Sequence, residues 1–170
     1  MNEKSAGEFI EQSVYRIKQN TPKIISCINE LNEGEIWKRP NTVTNSVANL
    51  VIHLCGNIQQ YIISSLGETK DTRERDLEFS VNGVFTKAGL IDKLNTIVDQ
   101  AIAIIEIMDT EMLVKKRSVQ GFNSSGIGNI IQVAEHYSYH TGQIVLFTKL
   151  LRNKDLEFYA GIDLNKKNQL

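Results

Sequence analysis

Very little in this chain interrupts a helix. Its 170 residues include two prolines, Pro22 and Pro40, so long segments are free of the residue that removes a backbone donor and breaks helices. Aromatic residues make up 7% with a single tryptophan, so the core must be built from aliphatic side chains. The two cysteines, Cys27 and Cys55, are isolated, lack metal-ligand spacing and fall inside helical patterns; both are expected to be reduced and buried. No apolar run approaches the roughly 18 residues a membrane span needs, which argues against a membrane partner. Neither sign of charge dominates: 19 Lys plus Arg oppose 20 Asp plus Glu, with no basic block to follow a phosphate backbone, so nucleic acid is not an expected partner. The polar, mixed-charge start, MNEKSAGEFIEQ, does not read as a secretory signal, and the expectation is a cytoplasmic protein.

What is present is hydrophobic periodicity. Phe9, Ile10, Val14, Ile17, Ile24, Ile25, Ile28 and Leu31 recur at three- and four-residue steps and predict a first helix over 7–32. Pro22 in its middle predicts either a kink near Asn20 and Thr21 or a new helix beginning there. Residues 32–45 lack periodicity and read as a loop, with Trp37 tucked against the bundle. Ser46 is a candidate N-cap for a second helix running to Leu66, with Gly67 as its stop. A third helix follows Thr86, carrying Leu90, Leu94, Ile97, Val98, Ala101, Ile104, Ile105 and Met108, and a fourth covers Ile127 to Leu151. With 41% hydrophobic residues, a chain this long can bury roughly 70% of its unfolded surface, so residues 1–170 form one domain without staples.

Connection lengths limit the topology. The segment from Gly67 to Phe85 is as long as a helix and spans a roughly 30 Å bundle when extended, which allows the second and third helices to run parallel. A bundle with a crossover fits better than a plain up-and-down one. The segment from Asp109 to Gly126 is also long and contains a short extended stretch around Lys115 to Val119, which falls short of predicting a strand.

The chain has three histidines. His136 and His140 are four residues apart, one turn above the other on a single helix face, within a sector of roughly 120° shared with Ile130, Val133, Tyr137, Ile144, Phe147 and Leu151. His53 lies on the flank of the second helix's apolar stripe beside Asn57. Neutral imidazole is the commonest side-chain ligand of transition metals, and three of them leave open positions of the kind a reactive Zn2+ or Ni2+ site has. The alternative is three hydrogen-bonded boundary histidines. The intervening sequence, HYSYH, has no glutamate after the first histidine, which disfavours a zincin protease.

Three segments, NSVANLVIHLCGNIQQYI (45–62), RERDLEF (73–79) and AEHYSYHTGQIVLFTKLL (134–151), carry a family likeness. With its H-L-x-G-N and H-Y-x-x-H-x-G-Q-I signatures, the chain resembles the DinB/YfiT-like superfamily over most of its length. The resemblance implies an all-α four-helix bundle of up-down-down-up topology, with the long crossover between helices two and three. It also implies a divalent metal held by His53, His136 and His140, each present at the matching position. Relatives include thiol-dependent S-transferases and proteins regarded as metal-dependent hydrolases, so the resemblance specifies the site better than the reaction. A homodimer is common among them, and the apolar residues spread round the first helix point the same way.

Other residues carry competing readings. Asn57 and Gln143 are placed to orient an imidazole or to bond backbone or water. Tyr61 and Tyr137 are expected in the core rather than beside the metal. Glu135 lies outside the inward sector and is not a candidate base. Arg73, Arg75, Asp76 and Glu78 either close one mouth of the site or form a surface ion-pair cluster, the second being the expectation. No general acid or base is nominated. The expected function is activation of water or a low-molecular-weight thiol toward a small-molecule substrate, as hydrolase or S-transferase; the alternative is a metal-binding or stress-response bundle without turnover.

Overall fold

The computed structural model describes residues 2–169. Helix α1 spans Glu3–Glu30, capped by the Asn2 side chain, which accepts from the Ser5 amide. It runs through Pro22 as one helix rather than two. Asn20 Nδ2 and Thr21 Oγ1 donate to the carbonyls of Arg16 and Ile17, so polar side chains occupy the backbone oxygens just ahead of the proline. A short 3-10 turn at Glu35–Trp37 places the Trp37 indole to donate to the Phe85 carbonyl. Helix α2 covers Val47–Ile58, with Ser46 as its cap, and passes into a π turn over Gln59–Ser64. The expected stop at Gly67 is displaced: the left-handed residue is Glu68, and Gly67 instead abuts Ile104.

Helix α3 (Arg75–Ser80) lies in the crossover, followed by α4 (Lys87–Glu106), α5 (Thr110–Val114) and α6 (Gly126–Arg152). Between α5 and α6 the stretch expected to be extended but unpaired is a strand. Strand β1 (Lys116–Val119) pairs antiparallel with β2 (Phe122–Ser125) across a two-residue turn in which Gln120 and Gly121 both have positive φ. That is the turn whose twist matches a hairpin, and Gln in place of Asn or Asp hid it in the sequence.

Helix directions follow from which ends meet. Lys87 bonds the Asn29 carbonyl while Lys18 meets Glu106, so α1 and α4 are antiparallel. Tyr137 meets Thr21, and Lys154, just past α6, meets Glu30; α1 and α6 are parallel. Asn129 bonds Ser65 while His136 meets His53, which makes α2 and α6 antiparallel. The bundle is therefore up-down-down-up, with α1 and α2 each packed between α4 and α6.

Ile17, Ile24 and Ile28 of α1, Leu54, Ile58 and Ile62 of the α2 segment, Leu90 and Leu94 of α4, and Ile130, Val133 and Ile144 of α6 form the core. Burying each contributes about 1.5–3 kcal/mol relative to leaving it exposed. The apolar surplus of α1 is thus covered within the chain, because Val14, Ile17, Ile24 and Ile28 are buried and Phe9 and Ile10 pack at the edge. Both cysteines are free and buried, and burial pushes the Cys55 thiol up to about 12. No helix among the described residues is long and apolar enough to cross a membrane.

Tyr137 is a core residue, its hydroxyl 2.9 Å from Thr21 Oγ1. Since Thr21 still bonds the Ile17 carbonyl without it, Tyr137→Phe should lower stability by about 1 kcal/mol, read from the urea midpoint, and leave metal uptake unchanged. Loss of metal in the folded variant would place the phenol at the site after all.

Candidate metal centre

The antiparallel contact of α2 with α6 brings together the three histidines. His53 projects from α2, and His136 and His140 from successive turns of α6. Their ring centroids are 4.4–5.0 Å apart, one possible ligand atom from each lies within 4.8 Å of the others, and His53 Nε2 and His136 Nε2 are separated by 2.8 Å. The three are close enough to bind one metal ion. His53 and His140 are buried and His136 is half-buried, so the cluster sits at the rim of the core rather than inside it.

Outer partners fix two of the three rings. The Glu78 carboxylate, 6% exposed, accepts from His53 Nδ1 at 2.7 Å, and the Gln143 amide oxygen accepts from His140 Nδ1 at 2.7 Å. An ionised carboxylate can only accept, which puts a proton on His53 Nδ1 even with Arg73 Nη2 3.2 Å away, and with Gln143 Oε1 facing it His140 likewise carries its proton on Nδ1; the Nε2 of each ring is then available for a ligand role. With His53 Nε2 bare, the 2.8 Å contact to His136 is satisfied by a proton on His136 Nε2. Burial, together with the neighbouring His140 and His53, pushes the His136 imidazole down to about 4, and burial likewise lowers His140. Rings held neutral in this way fit a metal, which competes with protons for the same nitrogens.

Glu78 was expected in a solvated surface cluster and is found buried. Arg73, its side chain 2% exposed, grips the carboxylate with both arms of its fork, Nε to Oε1 at 2.7 Å and Nη2 to Oε2 at 2.9 Å, while Nη1 donates to Gln60 Oε1. Burial alone would raise the Glu78 carboxyl; hydrogen bonds from Arg73 and His53 and the Arg73 charge hold it below its usual range. A helix facing it with a side chain at position 56 would exclude it, since a Cβ on Gly56 would overlap the Glu78 carboxylate and crowd Arg73. Gly56 therefore leaves the space through which Glu78 reaches His53, three residues earlier on α2. Asn49 ties down the far end of α3 by donating to the carbonyls of Glu78 and Val81. Arg75 and Asp76 remain exposed.

Of the other candidates, Gln143 takes the orienting role and Asn57 is buried without bonding any imidazole. Tyr61 donates to Gln120 at the hairpin tip, away from the rings. Glu135 lines a groove between α1 and α6, clear of the histidines. Sequence reasoning passed over Gly56 and Phe79, whose ring lies 4.7 Å from that of His53. A glycine inside an apolar helix costs about 1 kcal/mol relative to alanine, and that cost was the available sign of a close approach at position 56.

Fold and site together define a class: an up-down-down-up helical bundle with a three-imidazole centre between its second long helix and its last. Within it, the chain belongs to the family described as protein of unknown function (DUF1572), whose profile matches residues 4–163. Among solved structures it is similar to a conserved protein from Enterococcus faecalis, with a TM-score of 0.70 and 16% identity over 85% of this chain and 97% of that one. At that identity the likeness shows the fold alone. No curated protein matches the chain.

If Glu78 orients His53, both Glu78→Gln and Gly56→Ala should weaken metal binding by about 10- to 100-fold in a competition titration. Wild-type affinity in both would show that the carboxylate does not orient the ligand.

Proposed function

We propose that this chain is a DinB/YfiT-like metal-dependent enzyme of the cytoplasm, in which His53, His136 and His140 hold one Zn2+ or Ni2+ ion and a small molecule is attacked by water or by a low-molecular-weight thiol. The observation that carries this reading is the donor set: three imidazoles, two of them held by outer partners, and no fourth His, Cys, Asp or Glu joining the cluster among the described residues. Structural zinc sites are closed by four protein ligands, whereas three protein ligands mark sites that keep a position for chemistry. The ion would supply Lewis acidity, bringing the pKa of a water or thiol toward neutrality.

The protein's own part is to orient and to exclude. Glu78 and Gln143 hold two rings with Nε2 presented, and Phe79 and Tyr139 flank the rings of His53 and His140. Beside Gln143 a hollow of about 340 Å³, walled by Val43, Leu50, Leu146 and Phe147, offers an apolar surface of small-molecule size. The competing reading is a bundle that holds metal without turnover, either for stability, with a site closed to small ligands, or for ligand capture, with binding and no reaction.

Co2+ substitution separates the two. Imidazole, azide or a small thiol should shift the Co2+ absorption spectrum; metal-dependent consumption of a chlorinated nitrobenzene in the presence of thiol then identifies an S-transferase, and hydrolysis of esters or amides a hydrolase. A fully loaded protein whose spectrum no ligand perturbs overturns the enzyme reading.

A homodimer is part of the proposal, with its interface on α6 rather than α1. Ile131, Tyr139, Leu146 and Leu150 are exposed there along one face, more apolar surface than a solvated helix carries. Light scattering at micromolar concentration should return twice the 19.2 kDa chain mass, and a monomer would refute it.

A further inference from the structure

Resting on the metal reading above, we propose that Arg75 binds an anion at the mouth of the three-histidine site, and that the substrate or co-substrate is a small molecule bearing a carboxylate near the atom that engages the metal.

Three arginines surround the segment that covers His53, and they differ in what their forks do. Arg73 gives its fork to Glu78 and Gln60. Arg39 donates to the Phe79 carbonyl and to Asn49 Oδ1. Arg75 is exposed and, among the described residues, makes no ion pair or hydrogen bond through its guanidinium; its position comes from the Phe79 ring, whose centroid lies 5.1 Å from Arg75 Cζ. Phe79 in turn lies against His53. The free guanidinium is thus two ring contacts from a metal ligand, a planar fork whose geometry matches a carboxylate.

The acids beside Arg75 in sequence do not neutralise it. Glu74 lines the cavity on the α4 side of α3, together with Leu77 and Lys93, which no histidine lines. Asp76 is the next residue on the same helix, and adjacent helical residues do not face each other.

Charge balance at the centre points the same way. The one carboxylate hydrogen-bonded to the rings among the described residues, Glu78, is already matched by Arg73. A divalent ion on these residues would keep its full charge, and Arg75 adds another beside it. A neutral substrate would leave both charges uncompensated; a carboxylate-bearing one would satisfy the second while its donor atom meets the first.

The test titrates Co2+-loaded protein with 3-mercaptopropionate and with 2-mercaptoethanol, which share a thiol and differ in the carboxylate, and reads affinity from the absorption change. In Arg75→Ala the affinity ratio of the charged to the neutral thiol should fall by about five- to tenfold. Arg75→Lys, which keeps the charge without the fork, should lose part of it, and 0.5 M salt should shrink the ratio in wild type but hardly in Arg75→Ala. Because Arg75 is exposed, equal thermal melting of wild type and variants checks that the fold is intact. A ratio unchanged by Arg75→Ala overturns the anion assignment while the spectral response itself leaves the open metal site standing. No response to either thiol in fully loaded protein overturns the open site and the inference with it.

Discussion

The buried contact between Glu78 and His53 is the constraint around which this side of the molecule is arranged. An ionised carboxylate removed from water is tolerated only with full compensation, and leaving one buried charge without its partner typically costs about 3–5 kcal/mol. Arg73 provides that compensation in a two-pronged contact, which needs the guanidinium buried and its remaining arm satisfied by Gln60. Gln60 belongs to the π turn that follows α2, a local widening of the kind often found at functional sites. Gly56 is forced by the same contact, since the carboxylate occupies the volume of a side chain there. Residues far apart in sequence are thus fixed by one buried carboxylate.

That dependence explains why the topology matters to the site. In an up-and-down bundle a short turn would join α2 to its successor. Here α2 and α4 run parallel, so the chain must travel the length of the bundle between them, and α3 lies on that return path. The crossover delivers Arg73, Glu78 and Phe79 to the open flank of α2. Residues that orient a ligand are therefore supplied by a connecting segment held on a rigid scaffold, the usual division between framework and function.

The long helices and the histidines were legible in the sequence because each leaves a periodic trace. Ile17, Ile24 and Ile28, or His136 and His140, repeat at helical spacing, and burial acts on every turn. Ser46 was readable as a cap for a similarly local reason. The covering segment was not: RERDLEF is short and charged, has no apolar period to read, and its burial depends on pairing with partners on α2. The same holds for the hairpin, where KRSV and FNSS lack strong alternation and the turn uses Gln120. At Pro22 the option of a new helix is set aside, since α1 continues through it with the Asn20 and Thr21 side chains bonded to carbonyls ahead of the ring. Gln143, within a turn of His140, could be nominated as an orienting residue, whereas Glu78, 25 residues from His53, could be weighed only as closing a mouth of the site or joining a surface cluster.

The three ligands are not equivalent, and the difference bears on how the centre is built. His53 is backed by a charged carboxylate and His140 by a neutral amide, so the first ring is held by a stronger hydrogen bond than the second. His136 has its contact on the inner nitrogen, toward His53, and is the most exposed of the three. Two rings are therefore set by the scaffold and the third by its neighbour. A preorganised pair with one adjustable member lowers the ordering cost of assembling the donor set while leaving the side where Arg75 stands free to meet a ligand.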